Sequence, residues 1–588
     1  MKFSQVADCY EKIESTAKRL EMTDYLAELL KITSNDLIDK VVYLTQGKLY
    51  PDFVDIQIGI AEKLAIQAVA KATGKRENEI REDLARTGDI GETAQEFRAK
   101  KAQATLFKGE QLTVEEVYDT LDRMARASGA GSMDKKLSLL SGLLMAATPK
   151  EARYILRIVT GTLRLGIADM TVLDALAIAH GGGKEARAQL ERAYNISSDL
   201  GKVAETVVRR GLKGIEKFAV SLGKPIRPML AERLGSPEEI LEKLSGKCVV
   251  EYKYDGERVQ AHKQGDRVTL FSRRLENITD QYPDASELIK KNVRAKSVIM
   301  EAECVAINAD TGEMKPFQEL MHRRRKYGVR EAMEEHPVSL FMFDILYFNG
   351  QDLTLKPFLT RRKKLEQTVV EDRRVRASTS EFIKTVEGLE QFFERAVEAG
   401  CEGIMCKSVD KNSIYQAGAR GWNWIKYKRE YKSEMTDTVD LVAVGAFYGR
   451  GKRAGTYGAL LLATYNPEKD VFETLTRCGT GFTDEDLERL PEIMKKHKLI
   501  HRHPKVNSMV EADVWLKPVV VLEVLGSEIT LSPIHTCAMG VIRKGSGLAI
   551  RFPRFTGNYR FDRAPTGATT NEEIVKMYRN QMRKVGST

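Results

Sequence analysis

The 588-residue chain has few of the features that mark a membrane protein or a disulfide-stabilised protein. No run approaches the roughly 18–20 apolar residues that a membrane-spanning helix needs, and Met1–Gln5 opens no apolar signal segment. The seven cysteines are scattered, and the closest pair, Cys401 and Cys406, lacks the C-x-x-C spacing of a zinc or redox motif. We therefore expect a cytoplasmic protein with reduced thiols, no zinc and no membrane association.

Two patterns that could carry chemistry are incomplete. The glycines at 181–183 lack the Lys-Ser/Thr that completes a phosphate-binding P-loop, so they predict a loop between helices. His501 and His503 have no further ligands nearby in the sequence, which favours a surface loop over a metal site.

Size and charge favour several folded domains and a polyanionic partner. Hydrophobic residues make up 42% of the chain and charged residues 30%, which is ample for folded domains. At roughly 100–200 residues per domain, a chain of this length should hold three or four. The net charge of +10 and the pI of about 9.0 favour a polyanion, although a basic protein without such a partner fits the charge alone.

The texture of the sequence changes twice. Residues 1–225 predict an all-α domain, in which Thr113 and Thr148 each open a capping box followed by apolar residues at helical spacing. Pro225 and Pro228 cannot continue a helix, so we place a boundary there.

Two further domains follow this boundary. Residues 226–430 mix strand-like runs with helical patterns, which predicts an α+β domain with antiparallel sheets. Residues 431–588 hold short strands separated by Gly-rich turns, which predicts a small β-barrel such as an OB-fold.

One short hairpin carries the strongest chemical pattern. Lys253 ends a predicted strand, an Asp255-Gly256 turn follows, and Arg258 comes five residues after the lysine. A free lysine has a pKa of ~10.4 and becomes a nucleophile only when burial or nearby cations favour its neutral form. The sequence offers five such cations: Arg258, Arg273, Lys407, Lys426 and Lys428. Taken alone, the hairpin also fits a surface lysine beside a common turn.

The pattern K-x-D-G-x-R resembles the first motif of the covalent nucleotidyltransferases, which comprise DNA ligases, RNA ligases and mRNA capping enzymes. Later motifs of that superfamily are resembled, in its order, by Phe271–Arg273, Met300–Glu303, Phe341–Asp344, Glu402–Lys407 and Trp424–Lys428. Ala302 stands where the third motif usually has glycine. Each segment alone would fit a core or solvated strand, but five in the family's order favour the catalytic interpretation.

The resemblance implies a covalent mechanism. Lys253 would attack the α-phosphorus of ATP, retain AMP and release pyrophosphate. Glu402 would bind Mg²⁺, or Mn²⁺ in its place, and Glu303 would serve the nucleotide sugar or the metal. The other implied nucleotide contacts are Arg258 and Arg273 (phosphate or ribose), Phe343 (stacking on the purine), Lys407 (a phosphate oxygen), and Lys426 and Lys428 (the α-phosphate).

Segments outside these motifs narrow the resemblance to archaeal and eukaryotic ATP-dependent DNA ligases, with archaeal replicative ligases the most similar. The similarity spans nearly the whole chain, including Leu163–Ile167, Asn195–Leu200, Pro316–Lys326, Gly418–Gly421 and Arg551–Phe555. It implies a helical DNA-binding domain at 1–225, an adenylation domain at 226–430 and an OB-fold domain at 431–588. It also implies nucleotide contacts from Glu251 (the adenine amino group), Arg420, and Arg551 and Arg554 (pyrophosphate).

The expected activity is therefore sealing of 5′-phosphate/3′-hydroxyl nicks in double-stranded DNA, in replication, repair and recombination. AMP would pass from Lys253 to the 5′-phosphate before the 3′-hydroxyl displaces it, and we expect the protein to act as a monomer. An RNA ligase or a capping-type enzyme would share Lys253 but would not explain the helical domain. A non-catalytic DNA-binding scaffold would have no need of the complete set of Lys253, Glu402 and Lys426.

A last segment concerns a protein partner. Gln103-Ala104-Thr105-Leu106-Phe107 resembles a shortened sliding-clamp-binding motif, in which Leu106 and Phe107 would enter a clamp pocket. A loop with a buried Phe107 fits the same residues.

Overall fold

The structure is a computed structural model, and it describes residues 1–102, 111–163, 165–308, 313–315, 317–323, 328–428, 438–449 and 456–583. The chain divides into two compact units. Met1–Glu77 and Ala94–Tyr427 form the first unit, and Asn78–Thr93 and Lys428–Thr588 form the second.

Helices fill the amino-terminal third of the chain. They are α1 (Phe3–Glu14), α2 (Arg19–Ile32), α3 (Ile38–Thr45), α4 (Glu62–Thr73), α5 (Glu77–Thr87), α6 (Ile90–Ala102), α7 (Val114–Ala125), α8 (Ser132–Ala146), α9 (Pro149–Val159), α10 (Asp169–His180), α11 (Arg187–Ser197) and α12 (Leu200–Ile215). Thr113 and Thr148 cap α7 and α9 as predicted, because each hydroxyl accepts from the backbone N–H of the glutamate three residues on. Pro149 takes the first position of α9, where its missing N–H costs nothing.

Two sheets make up the rest of the first unit. The strands are β1 (Leu230–Arg233), β2 (Cys248–Lys253), β3 (Glu257–Gln264), β4 (Arg267–Ser272), β5 (Ser297–Ala306), β6 (Val338–Phe348), β7 (Gln351–Asp352), β8 (Val375–Ala377), β9 (Ser380–Ile383), β10 (Gly403–Ser408) and β11 (Arg420–Lys428). The helices are α13 (Pro237–Lys243), α14 (Pro283–Asn292), α15 (Val329–Glu335), α16 (Phe358–Thr368) and α17 (Val386–Glu398).

The two sheets are largely antiparallel. One has the order β1-β11-β10-β2-β9, and the other has the order β4-β3-β5-β6-β7 with β8 on β6. The pairs β2–β9, β2–β10, β3–β4, β3–β5 and β5–β6 are antiparallel, whereas β1–β11 and β6–β8 are parallel. The chain therefore passes from the first sheet to the second at the turn between β2 and β3, where Lys253 lies.

The helical part of the first unit is joined to these sheets by a shared core. Ile196 from α11 packs in one hydrophobic cluster with Ile226, Met229 and Trp424, and Phe343 packs against that cluster. The segment around the predicted boundary is held by hydrogen bonds, among them one from the Arg227 guanidinium to the Tyr194 hydroxyl at 2.6 Å.

The second unit is rich in β-structure. Its strands are β12 (Val439–Tyr448), β13 (Tyr457–Asn466), β14 (Val471–Cys478), β15 (Lys498–Leu499), β16 (Val506–Asn507), β17 (Val514–Leu516), β18 (Val521–Leu525), β19 (Glu528–Ser532), β20 (Gly547–Arg551) and β21 (Arg554–Tyr559). Its helices include α18 (Asp484–Lys495) and α19 (Asn571–Arg583).

Pairing within this unit curls the sheet. β12 pairs with β13 along its length, and it also pairs with β17 at one end and with β18 at the other. The enclosed core includes Leu460, Leu475, Leu522 and Phe555. The predicted order of a helical region, an α+β region and a β-rich barrel region is confirmed. None of the helices in the described part of the chain combines the length and apolarity that a bilayer crossing requires.

Candidate active site

Strand pairing places Lys253 against a carboxylate. Lys253 ends β2 directly opposite Gly403, the first residue of β10, and the backbone N–H of Glu402 donates to the Lys253 carbonyl at 2.9 Å. The side chains meet on the same side, with Lys253 Nζ 2.8 Å from Glu402 Oε2. Both side chains are about one-fifth exposed, so solvent and a ligand can reach the pair.

The glycine of the hairpin is required by close packing. A Cβ at Gly256 would lie 2.4 Å from the carbonyl oxygen of Cys304 and 2.9 Å from Cγ of Glu303. Contacts that short do not occur between real atoms, so any larger residue would push β5 away from the turn. The K-x-D-G-x-R pattern therefore brings Lys253 close to Glu303, which pairs with Arg258 across β3 and β5.

Three carboxylates surround the lysine. Burial raises the pKa of Glu303 to about 7 and that of Asp255 to about 6, and the charge of Glu402 raises both further. The Phe317 backbone N–H donates to Asp255 at 3.1 Å, which offsets part of that shift. Carboxyl groups that resist ionisation together have room for a cation between them.

A divalent metal fits the residues present here. Within the described ranges, no preformed group of three or more His, Cys, Asp or Glu side chains is arranged to hold a metal by itself. Mg²⁺ seldom needs one, because it is usually bound by one or two carboxylates together with water and substrate phosphates. Glu303 and Glu402 supply that number.

Arg258 is held in a buried clamp. Its Nη2 lies 2.9 and 2.8 Å from the two carboxylate oxygens of Glu301, and its Nη1 donates to the Met229 carbonyl at 2.7 Å. The Tyr415 hydroxyl donates to Glu301 at 3.0 Å and accepts from the Met229 N–H at 2.9 Å. The guanidinium lies 5.4 Å from the centre of the Phe343 ring, so it is presented beside an aromatic face.

A second buried ion pair lies deeper in the sheet. The Lys407 ammonium lies 2.8 Å from Glu251 Oε2 and donates to the Phe343 carbonyl at 3.0 Å. Burial lowers the pKa of Lys407. The half-buried Phe343 ring meets the Trp424 ring edge-on, with centroids 6.1 Å apart.

The remaining predicted residues lie farther along the two sheets. Arg273 follows β4 and is exposed, and it lines a cleft of about 740 Å³ together with Lys48 and Arg227. On β11, Arg420 is exposed at the start, while Lys426 and Lys428 are half-buried and alternate along one face.

Three predicted groups fall elsewhere. Arg551 and Arg554 belong to the second unit, where Arg551 pairs with Glu528 at 2.9 Å and Arg554 is exposed at the start of β21. Between them Phe552 has a φ of +50° and is 64% exposed. Gln103, Leu106 and Phe107 lie outside the described residues.

Sequence reasoning assigned no role to several residues that the fold brings to this site. Glu301, Tyr415, Arg362 and Ser378 touch the predicted ligands, yet only Glu301 lies in a motif segment. Their contacts join positions 77 to 157 residues apart in sequence from the groups that they hold, so no local pattern could indicate them.

Comparison with known proteins agrees with the fold and the site. The residues 228–428 match the model of the ATP dependent DNA ligase domain, 2–177 match the DNA ligase N terminus, and 453–563 match the ATP dependent DNA ligase C terminal region. A lysine, paired carboxylates and clustered cations within the first of these ranges define a nucleotidyltransferase-type ligase domain.

The chain belongs to the ATP-dependent DNA ligase family. It is 56% identical to DNA ligase 2 of Thermofilum pendens over 98% of this chain and 97% of that protein. It is 50% identical to the DNA ligase of Staphylothermus marinus over 100% of both chains, and 51% identical to the probable DNA ligase of Aquifex aeolicus over 99% of both. The solved structure named Pmar-Lig_PreS3 covers 94% of this chain and 99% of its own at a TM-score of 0.54 and 18% identity, which is a likeness of fold.

Proposed function

We propose that this chain is an ATP-dependent DNA ligase that seals nicks with 5′-phosphate and 3′-hydroxyl ends in double-stranded DNA, in replication, repair and recombination. One observation carries the proposal: Lys253 Nζ stands 2.8 Å from Glu402 Oε2 at the end of β2, within a domain matched to ATP-dependent DNA ligases.

The first step forms the Lys253–AMP bond. Neutral Lys253 Nζ attacks the α-phosphorus of ATP in line, the bond to the β-phosphate oxygen breaks, and pyrophosphate leaves. The nucleophile must first lose a proton and its ion pair with Glu402. Engagement of Glu402 by Mg²⁺ or Mn²⁺ would break that pair and leave Lys253 among cations, which favours the neutral amine.

The metal would be held by Glu303 and Glu402. When bound, it would neutralise phosphate charge in the transition state. Lys426 and Lys428 share one face of β11 and would flank the α-phosphate from the protein side.

The remaining proposed contacts concern the nucleoside and the phosphates. Phe343 would stack on the purine, and Glu251 would accept from its amino group. Arg258, Arg273, Arg420 and Lys407 would bind the ribose or phosphates, and Arg551 and Arg554 would orient pyrophosphate during self-adenylation.

In the next two steps AMP passes from Lys253 to the 5′-phosphate of the nick, and the 3′-hydroxyl then attacks that phosphate and displaces AMP. Each step exchanges one phosphorus bond for another, so no further energy source is needed. The net charge of +10 suits a partner that is gripped through its phosphates and read by shape.

The proposed domain limits are 1–225 for DNA binding, 226–430 for adenylation and 431–588 for the OB-fold, and the protein would act as a monomer. Gln103, Leu106 and Phe107 would bind a sliding clamp. Alanine at Leu106 and Phe107 should abolish stimulation by the clamp while basal sealing persists, and unchanged stimulation would contradict the contact.

Sealing of a 5′-labelled nicked duplex tests the function. The protein with ATP and Mg²⁺ should join nicked DNA, and Lys253→Ala should not. Faster joining of nicked RNA, or activity with GTP in place of ATP, would instead favour the RNA-ligase or capping-type alternative.

A further inference from the structure

The carboxylate of Glu251 occupies a defined place beside the proposed nucleotide site. Side chains alternate along a strand, so Glu251 and Lys253 project from the same face of β2, roughly 7 Å apart along the chain. Glu251 is 2% exposed, and a buried carboxylate must be satisfied by donors.

Three donors reach this carboxylate from three different elements. The Ser378 hydroxyl donates to Oε2 at 2.8 Å, and the Lys407 ammonium lies 2.8 Å from the same oxygen. The Arg362 guanidinium donates to Oε1 at 3.3 Å. Arg362 is itself fixed, because it also bonds the Ser378 hydroxyl and carbonyl and the Glu366 carboxylate.

These contacts leave one acceptor position. A carboxylate has about four lone-pair sites, two on each oxygen. Oε2 uses both, while Oε1 uses one for Arg362, so a single site remains on Oε1. Because Lys407 also donates to the Phe343 carbonyl, the same ammonium fixes both Glu251 and the strand that carries the proposed stacking ring.

We infer that Ser378, Arg362 and Lys407 are positioning residues that leave Glu251 a single outward acceptor, and that this acceptor selects a purine with a 6-amino group. The inference rests on the proposed function. An adenine amino group donates one N–H to that site, whereas guanine presents an acceptor oxygen there and repels the carboxylate. A purine without a 6-substituent leaves the buried acceptor unpaired.

This assignment gives Lys407 a role that differs from the phosphate contact expected from its motif. Its side chain is 2% exposed, and its ammonium lies 5.2 Å, 4.8 Å and 4.7 Å from the centres of the Phe343, Phe358 and Trp424 rings. Reaching a phosphate would require leaving Glu251 buried with two donors. Lys407 therefore acts on base recognition through Glu251.

The test measures KM and kcat for Lys253–nucleotide formation with full-length protein, Mg²⁺, and either ATP or purine riboside triphosphate, which has hydrogen in place of the amino group. The wild-type KM should be at least about tenfold lower for ATP. Ser378→Ala should raise the KM for ATP by about three- to tenfold and leave that for the analogue nearly unchanged, so the preference falls without a matching loss of kcat.

Three variants guard this comparison. Ser378→Thr keeps the hydroxyl and should restore the preference. Ser413→Ala removes another buried serine hydroxyl, one that bonds the Asp410 carbonyl and the Phe358 N–H, and should keep the wild-type ratio. Lys407→Met should lower the preference as Ser378→Ala does.

The outcomes separate the inference from the function on which it rests. If Glu251→Gln lowers the preference while folded Ser378→Ala and Lys407→Met keep it, the clamp is refuted and the role of Glu251 stands. Equal losses of kcat with both triphosphates in Lys407→Met would return that lysine to a phosphate contact and overturn its assignment. Absence of any covalent nucleotide in the wild type would refute the proposed function itself.

Discussion

Lys253 Nζ and Glu402 Oε2 lie 2.8 Å apart, so the proposed nucleophile is held as an ion pair by the residue that precedes the neighbouring strand. An ammonium in that pair cannot attack phosphorus. The geometry therefore couples two events that the chemistry needs, because a metal that engages Glu402 also releases Lys253 from its partner.

Replacing Glu402 with glutamine should abolish most self-adenylation. The amide cannot supply the charge that holds a divalent metal, and electrostatic stabilisation of this kind is worth several kcal/mol, so formation of Lys253–AMP should fall at least about a hundredfold. Incorporation of labelled AMP measures it. Glu398→Gln is the matched control, because Glu398 is exposed at the end of α17. A rate within threefold of the wild type in Glu402→Gln would show that this carboxylate is dispensable.

Alanine at Gly256 should damage the site by displacing β5. The added Cβ would meet the Cys304 carbonyl oxygen at 2.4 Å, and overpacking typically costs about 1–3 kcal/mol. We expect a lower melting temperature together with slower adenylation, because Glu303 moves with its strand. Gly235→Ala is the control: a Cβ there meets nothing within 4 Å. Normal activity of Gly256→Ala would mean that β5 can shift without disturbing Glu303.

Phenylalanine at Tyr415 should loosen Arg258. The hydroxyl bridges the Glu301 carboxylate and the Met229 N–H, and its loss leaves a buried carboxylate oxygen with one donor fewer. The KM for ATP should rise by about three- to tenfold, with a smaller change in kcat. Steady-state adenylation kinetics measure both. Should kcat and thermal stability fall while KM stays constant, Tyr415 would have a purely structural role.

The stability of the metal-free protein should depend on pH through Glu303. Its pKa is raised from an ordinary 4.5 to about 7, so the folded state binds this proton more tightly than the unfolded state does. That stabilisation is complete below pH 4.5 and is lost as the pH rises through 7. Glu303→Gln cannot ionise, so its free energy of unfolding relative to wild type should be higher at pH 8 than at pH 5 by about 1–2 kcal/mol. Denaturant unfolding in EDTA at both pH values measures this, and equal differences would contradict it.

Activity should show the opposite trend. Adenylation needs Glu303 ionised to hold the metal, so at low Mg²⁺ the rate should rise between pH 6 and 8. Higher Mg²⁺ should move the midpoint to lower pH, because metal and proton compete for the same carboxylate. A midpoint that ignores the Mg²⁺ concentration would show that the titrating group lies elsewhere.

Much of the fold was predictable because its cues are local. The capping boxes at Thr113 and Thr148 fix helix starts within four residues of sequence, and the Asp255-Gly256 turn fixes where β2 ends. The proximity of Lys253 to Glu402 was indicated by the order of the motifs.

The contacts around those residues could not be read in this way. Ser378 and Arg362 meet Glu251 across 127 and 111 residues, and Tyr415 meets Glu301 across 114. Such distances are closed only by the sheet order β11-β10-β2-β9, which strand patterns do not determine. The pairing of Lys407 with Glu251 is also a tertiary outcome, because the sequence alone presents Lys407 as one cation among several.

The most direct test follows labelled AMP onto and off one residue. After incubation with α-labelled ATP and Mg²⁺, peptide mapping should find the label on Lys253, and nicked duplex DNA should then discharge it as the strand is sealed. Lys253→Ala should take up no label yet still seal a nick whose 5′ end is already adenylated. Label on another residue, or label on Lys253 that nicked DNA fails to discharge, would contradict the account.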